Sequence, residues 1–405
     1  MTTTPGLSAW RFVTTFGVVS LLADIVYEGA RSISGPLLAS LGATAVVVGV
    51  VTGIGEAAAL LLRVVSGPLT DRTGRFWAWT ISGYALTAVS VPLLGVAGVL
   101  WAAAALVIAE RVGKAVRSPA KDTLLSHATA VTGRGRGFAV HEAMDQIGAV
   151  SGPLAVAGML VVFDGDFGPT LALLAIPGVG VLALLAWLRA KVPEPAAYEA
   201  AERPTATAAG SDPATPLPRA FWTYALFTAV TMVGFTTFGV LSYHQVHRGL
   251  VPVAAVPLIY AAAMVADALA ALATGWWYDR RGAVTLAVLP VLAAAVPALA
   301  FSGSLAPVLV GALLWGAAVG VQESTLRAVV ADLVGPRRRA TAYGVYAAVL
   351  GVAAAGGGAL TGYLYERSVP LLVGVVAGVQ VIALVALPLV RRQALRASTS
   401  SVDPR

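Results

Sequence analysis

The sequence predicts an all-α integral membrane protein of about twelve spans, built as two pseudo-symmetric six-helix bundles. Three observations carry this: a composition too poor in charge for a water-facing exterior, a series of apolar runs of spanning length, and a motif that occurs twice at equivalent places. Of the 405 residues, 58% are hydrophobic and 12% charged, and the mean hydropathy is +0.82. Soluble domains average about 25% charged residues. Half that charge cannot cover a surface in water.

The runs Val91–Ile108, Leu171–Leu188, Ala283–Phe301 and Leu371–Val390 hold no charge and approach the roughly 20 residues that cross a hydrocarbon core. Each is too long for a core strand, and membrane helices tolerate the Gly and Pro inside them. Turn and charge clusters place the spans at 11–39, 42–63, 77–96, 99–124, 138–162, 168–188, 220–246, 253–276, 284–302, 305–333, 340–365 and 370–390. The first follows a polar start and carries Asp24, Glu28 and Arg31, which does not fit a cleaved signal sequence. The fourth, fifth and tenth also carry charges and have the weakest hydropathy. Between the sixth and seventh, Ala190–Arg219 is rich in Ala, Pro, Thr and Glu, a composition that buries no core. The expected organisation is a bundle over 1–189, a flexible linker over 190–219, a second bundle over 220–390 and a tail over 391–405.

Charge asymmetry sets the expected orientation. With both termini cytoplasmic, the inner loops, linker and tails hold nineteen Lys and Arg residues against two, Arg248 and Arg367, outside. That is a strong positive-inside bias, and it places the chain in the plasma (inner) membrane. The same topology accounts for the net charge of +7 through the anionic inner leaflet and excludes a nucleic-acid partner. With no cysteine, disulfides and thiolate metal sites are excluded.

After the second span the chain reads Gly67-Pro68-Leu69-Thr70-Asp71-Arg72-Thr73-Gly74-Arg75, and after the eighth Gly275-Trp276-Trp277-Tyr278-Asp279-Arg280-Arg281-Gly282. Both have the form G-x-x-x-D-R-x-G, as expected of a duplicated unit. Glycine there permits close helix approach and a tight turn. A weaker repeat sets Ser118-Pro-Ala-Lys121 against Ser324-Thr-Leu-Arg327, each followed by a basic turn.

The first motif resembles the signature loop of the major facilitator superfamily. The resemblance implies that Asp71 holds the two halves together on the cytoplasmic side in the outward-facing state. It carries over to Gly67, Asp71, Arg72, Gly74 and Arg75, with Asp279 and Arg280 as a degenerate second copy. In the fifth span Gly148-Ala-Val-Ser-Gly152-Pro153 is similar to the G-x-x-x-G-P antiporter motif of the superfamily's drug exporters, although small residues four apart also serve plain helix packing. The trailing glycine pair is replaced by Leu154-Ala-Val-Ala-Gly158, and the fourth span reads Glu110-Arg111-Val-Gly113-Lys114 in place of the usual R-x-x-x-G. The charged pattern looks like that of a prokaryotic branch akin to the drug/proton antiporters.

A charge at mid-bilayer costs about 2.5–3.5 kcal/mol on insertion scales, so each needs a partner or a water-filled cavity. Asp24, Glu28 and Arg31 share one helical face. Glu28 and Arg31 can pair, which leaves Asp24 to take up a proton reversibly. In the fourth span Glu110, Lys114, Arg117 and Lys121 form a stripe, with Arg111 and Asp122 beside it. The antiparallel fifth span offers His141, Glu142 and Asp145, so Arg117 and Lys121 are expected level with Glu142 and Asp145 in an interhelical network. Glu56, Asp267 and Asp332 are lone carboxylates, and Glu323 and Arg327 form an i, i+4 pair. His244 and His247 have no cysteine or clustered carboxylate beside them to complete a metal site.

These features point to a secondary transporter working by alternating access, with proton-coupled efflux of small organic compounds as the leading reading. Proton-coupled movement of an organic anion or metal ion, in either direction, is the alternative, and a receptor or scaffold without transport is the reading of another class. No G-x-x-x-x-G-K-[ST] loop and no hydrolase signature occurs, so neither an enzyme nor a cofactor is expected. The partners are protons, a small-molecule substrate and the bilayer, and the chain is expected to work as a monomer.

Overall fold

The structure is a computed structural model that describes residues 6–200, 216–334 and 339–400. These form α-helices with two short 3₁₀ segments. The first half is α1 (Ala9–Ser40), α2 (Ala45–Leu61), α3 (Arg63–Thr73), α4 (Phe76–Leu94), α5 (Leu100–Thr132), α6 (Arg134–Val162), α7 (Phe167–Leu173) and α8 (Ala175–Lys191). A short α9 (Ala196–Ala200) leads toward the second half: α10 (Arg219–Val233), α11 (Phe238–His247), α12 (Val256–Arg281), α13 (Val288–Ala300), α14 (Leu305–Leu333), α15 (Arg339–Arg367) and α16 (Val369–Ser400).

Ten helical stretches among the described residues are long and apolar enough to span a membrane. The other two expected spans are α5, which carries the charged stripe, and the shorter apolar stretch Val284–Ala300. The molecule is thus an all-α, multi-span membrane fold. Contacts group the chain into two units. One holds Met1–Leu37, Leu61–Ala208 and Val253–Ala261; the other holds Leu38–Leu60, Ala209–Pro252 and Ala262–Arg405. The second span therefore divides between them, which hydropathy cannot show.

Some expected boundaries move for identifiable reasons. The signature stretch is helical rather than a loop: α3 carries Gly67 to Thr73, and Gly74 ends it at φ +63° with its N–H on the Thr70 carbonyl. Gly282 closes the second copy at φ +61°. Both turns need the left-handed backbone that glycine adopts freely. Close approach is not what the leading glycines provide. A Cβ on Gly67 would come no nearer than 3.9 Å to Pro119, and one on Gly275 would meet nothing within 4 Å. The sixth expected span breaks at Leu174, where Pro177 cannot donate to the Leu173 carbonyl. The seventh breaks at 234–237.

The linker also departs from the flexible reading over its described start. Val192 and Tyr198 are buried, and the Tyr198 hydroxyl donates to the Leu7 carbonyl at 2.8 Å. Burial pushes that hydroxyl's pKa up to about 12, so it remains a donor. Trp77 Nε1 donates to the Pro193 carbonyl at 3.1 Å. Two apolar side chains in a Pro- and Ala-rich stretch suffice to dock it. Arg203, Gly335 to Arg338 of the second basic turn, and Arg405 lie outside the described residues, as do the side chains of Arg134, Arg327, Asp332 and Arg391.

Candidate functional site

The site grows from the packing of α4 on α5. A Cβ on Gly83 would lie 2.6 Å from the Gly113 carbonyl oxygen, and one on Gly113 would lie 2.7 Å from that of Gly83. The two backbones therefore touch. Arg117, one turn beyond Gly113, runs across the neighbouring side chains of α4. Its Nη1 donates to Thr87 Oγ1 at 2.8 Å. Its guanidinium carbon lies 4.6 Å from the centre of the Tyr84 ring and 5.3 Å from that of Tyr27 on α1. Lys114 sits over the other part of this cage, 4.6 Å from the Tyr27 centroid and 3.4 Å from its hydroxyl.

Charges from α1, α5 and α6 converge beside this cage. Glu28 pairs with Arg31 at 3.4 Å, as the spacing predicts, and also accepts from the hydroxyl of the fully buried Tyr260 on α12. Arg111 and Glu110, both buried, pair at 3.2 Å. Lys121 lies 3.9 Å from Asp145 and 3.0 Å from His141 Nε2, and His141 is 3.7 Å from Asp145. Ser20 joins the group, 3.3 Å from His141 and 3.4 Å from Tyr84. The expected interhelical network is thus present at Lys121 and Asp145. Arg117 is directed to aromatic faces instead, while Glu142 and Asp122 are exposed. Asp122 lies 4.0 Å from Lys121.

Asp24 sits in the middle, 7% exposed. The charges facing it are Asp145, Lys114, Glu28 and Lys121, yet among the described residues it makes no hydrogen bond or ion pair. His141 Nδ1, Asp145 Oδ1 and Glu110 Oε1 are likewise buried without a hydrogen-bond partner. The antiporter-like glycines explain why Asp24 lies where it does. A Cβ on Gly148 would be 2.7 Å from Asp24 Cβ, and one on Gly152 would be 2.7 Å from Ile25 Cα. With the buried Pro153 beside them, they seat α6 directly on this turn of α1.

The remaining candidates lie elsewhere. Glu56 is half-buried on α2; Asp71, Arg72, Gly74, Arg75, Asp279 and Arg280 are exposed, and Gly67 is half-buried. Arg280 stacks on Trp276 at 3.4 Å. His244 engages Tyr365 and the Ser302 carbonyl, each at 2.9 Å, and His247 stacks on Tyr243. No group of three metal-ligating side chains occurs among the described residues. Sequence reasoning missed Tyr27, Tyr84, Thr87 and Tyr260, because a tyrosine in an apolar run reads as core. The signal that could have found them is their spacing from charges: Tyr27 adjoins Glu28, and Tyr84 and Thr87 flank the α4 face that Gly83 opens.

Buried charges held by several apolar, membrane-length helices are the setting of a membrane transport protein. The chain matches the model of the Major Facilitator Superfamily over residues 16–266 and 250–403, and it belongs to that superfamily. It is 64% identical over 390 residues to an uncharacterised protein of Mycobacterium tuberculosis, covering 96% of this chain and 95% of the relative. It is 23% identical over 363 residues to an uncharacterised MFS-type transporter of Methanocaldococcus jannaschii, covering 87% and 88%. Among solved structures, a mutant of the nucleoside transporter NupG superposes with a TM-score of 0.76 at 13% identity, covering 94% of this chain and 99% of that one. A POT family transporter in complex with a conjugated peptide gives 0.73 at 13% identity, covering 96% of each. A bacterial homologue of the lysosomal transporter Spinster, inward-facing and occupied, gives 0.67 at 16% identity, covering 96% of each. At such identities the likeness is one of fold. By that family match the chain is a secondary active transporter.

Proposed function

We propose that this carrier couples substrate movement to protons, with Asp24 as the proton-carrying group. The observation that supports this is a buried carboxyl with no hydrogen bond or ion pair among the described residues, faced by two lysines and two other carboxyls. A carboxylate held this way carries the full cost of a buried charge, and a proton removes it. Ser20, His141, Lys121 and Asp145 form the polar surroundings through which that proton would pass.

The wider reading keeps twelve spans in two symmetry-related halves, 1–189 and 220–390, with both termini cytoplasmic in the inner membrane and one chain as the working unit. Efflux is the direction the antiporter-like stretch favours, since Gly148 and Gly152 pack against the turn that carries Asp24. Nucleosides and peptides, the solutes named for fold neighbours, make small polar organic compounds the first class to screen. Asp71 is the proposed cytoplasmic latch.

Reconstitution into proteoliposomes tests the coupling. Asp24→Asn is expected to abolish flux driven by a pH gradient while leaving substrate exchange intact. Gradient-driven flux equal to wild type in that variant rejects Asp24 as the proton carrier. The sign of the gradient that drives accumulation separates efflux from uptake.

A further inference from the structure

We propose that Arg117, with Lys114 one turn away, binds an anionic group of the transported compound, so that the substrate carries a carboxylate or a phosphate. The inference rests on the carrier reading above for calling the ligand a substrate; the anion site itself is a statement about binding.

The first argument is pairing. The cluster holds five cations, Arg31, Arg111, Lys114, Arg117 and Lys121, and five carboxyls, Asp24, Glu28, Glu110, Asp145 and the exposed Asp122. Glu28, Glu110 and Asp145 stand against Arg31, Arg111 and Lys121 at 3.4, 3.2 and 3.9 Å. Among the described residues no carboxylate lies within ion-pair distance of Arg117, although the residue is 4% exposed. Two tyrosine faces and one threonine hydroxyl surround it. Ring faces offset only part of the cost of a buried guanidinium, and one hydroxyl engages one of its five N–H donors.

The second argument is shape. A guanidinium fixed at Nη1 by Thr87, and flanked by rings on α1 and α4, presents a planar fork that suits a carboxylate or phosphate in two-point contact. Lys114 lies 3.4 Å from the Tyr27 hydroxyl, and both supply further donors. A cationic substrate would meet the Arg117 guanidinium unfavourably, and a neutral one would leave the fork unused.

The test uses the purified full-length chain and four probes of similar size: benzoate, phenyl phosphate, benzyl alcohol and benzylammonium. Binding is read by thermal unfolding and by tryptophan fluorescence. Benzoate or phenyl phosphate is expected to raise the unfolding temperature, and the neutral and cationic probes are not. Arg117→Gln should weaken anion binding at least about tenfold. Arg117→Lys keeps the charge without the fork and should lose roughly three- to tenfold. Arg248→Gln, on the exposed surface, should bind as wild type does. Anions binding no better than benzyl alcohol to the wild-type chain, a result that needs no variant, overturns the proposal. So does undiminished anion binding in Arg117→Gln. A chain that binds benzoate through Arg117 but moves no solute in proteoliposomes would keep the anion site and remove the carrier reading.

Discussion

Gly148 has no room for a side chain: a Cβ there would lie 2.7 Å from Asp24 Cβ and 2.6 Å from the Leu21 carbonyl oxygen. Gly152 is as tight, 2.7 Å from both Cα and O of Ile25, while a Cβ on Gly158 would meet nothing within 4 Å. Inserting a methyl into a filled contact costs typically about 1–3 kcal/mol, and here it would also push α1 away at the turn that holds Asp24. Gly148→Ala and Gly152→Ala are therefore expected to lower thermal stability in detergent by about that amount and to reduce gradient-driven flux, with Gly158→Ala unchanged in both. Equal behaviour of all three would mean that the stretch does not position Asp24. Tyr260 is a second such position. Tyr260→Phe removes the donor to Glu28, and hydrogen bonds to charged groups contribute about 1.5–3 kcal/mol, so a stability loss of that order is expected in the same measurement.

At the level of the helices, the gap between α10 and α11 is held by specific donors. Gln380 Nε2 reaches the Thr231 carbonyl and Trp315 Nε1 the Thr236 carbonyl, each at 2.9 Å and each buried. Unwound backbone inside a membrane protein survives only where its polar groups are satisfied. A Cβ on Gly357 of α15 would meet the carbonyl oxygens of Met232, Phe235 and Val233 at 2.6, 2.9 and 3.1 Å, so this glycine lets the broken segment lie against α15. Gln380→Leu removes one of two donors to the Thr231 carbonyl, which keeps the Gly234 N–H at 3.2 Å, and should cost about 0.5–1.5 kcal/mol by thermal unfolding. Gly357→Ala is expected to be worse than Ala at Gly356, where a Cβ meets nothing within 4 Å.

How much of this was legible follows from what each pattern encodes. The repeated G-x-x-x-D-R-x-G foretold two matching turns, and Gly74 and Gly282 supply them with φ of +63° and +61°, because a left-handed turn leaves a glycine in the sequence. It did not reveal that Gly67 and Gly275 are spacious, since a glycine letter does not say what faces it. Alanine at 74 or 282 should therefore cost about 1 kcal/mol or more, and alanine at 67 or 275 little. Charge spacing along one helix gave the Glu28–Arg31 pair, and depth gave Lys121 against Asp145. It could not show that Arg117 turns toward Tyr84 and Tyr27, which depends on the Gly83–Gly113 approach between two different helices. The break at 234–237 left no proline to mark it, and its donors, Gln380 and Trp315, are far away in sequence.

For the molecule as a whole, the two contact units do not follow the two halves of the sequence: residues 38–60 belong with the unit that holds α10, α11 and α15. Within that unit Thr52 on α2 and Thr237, beside α11, face each other with hydroxyl oxygens 2.8 Å apart, and Gly239 and Gly358 allow α2 its close approach to α11 and α15. Val46 N donates to Glu366 on α15 at 2.8 Å. If the proposed alternating-access cycle separates the two sequence halves, these contacts must break once per turnover, because α2 belongs to one half and α11 and α15 to the other. The chain has no cysteine, so a pair introduced here has no competitor. In the double variant Thr52→Cys/Thr237→Cys the two sulfurs would take the places of the hydroxyls, close enough for a bond of about 2.05 Å. Oxidation is expected to join them in most molecules and to stop flux, reduction to restore it, and each single variant to be indifferent to both treatments. Full flux in the cross-linked protein would mean that α2 and α11 stay together throughout, and that whatever moves during transport lies elsewhere in the fold.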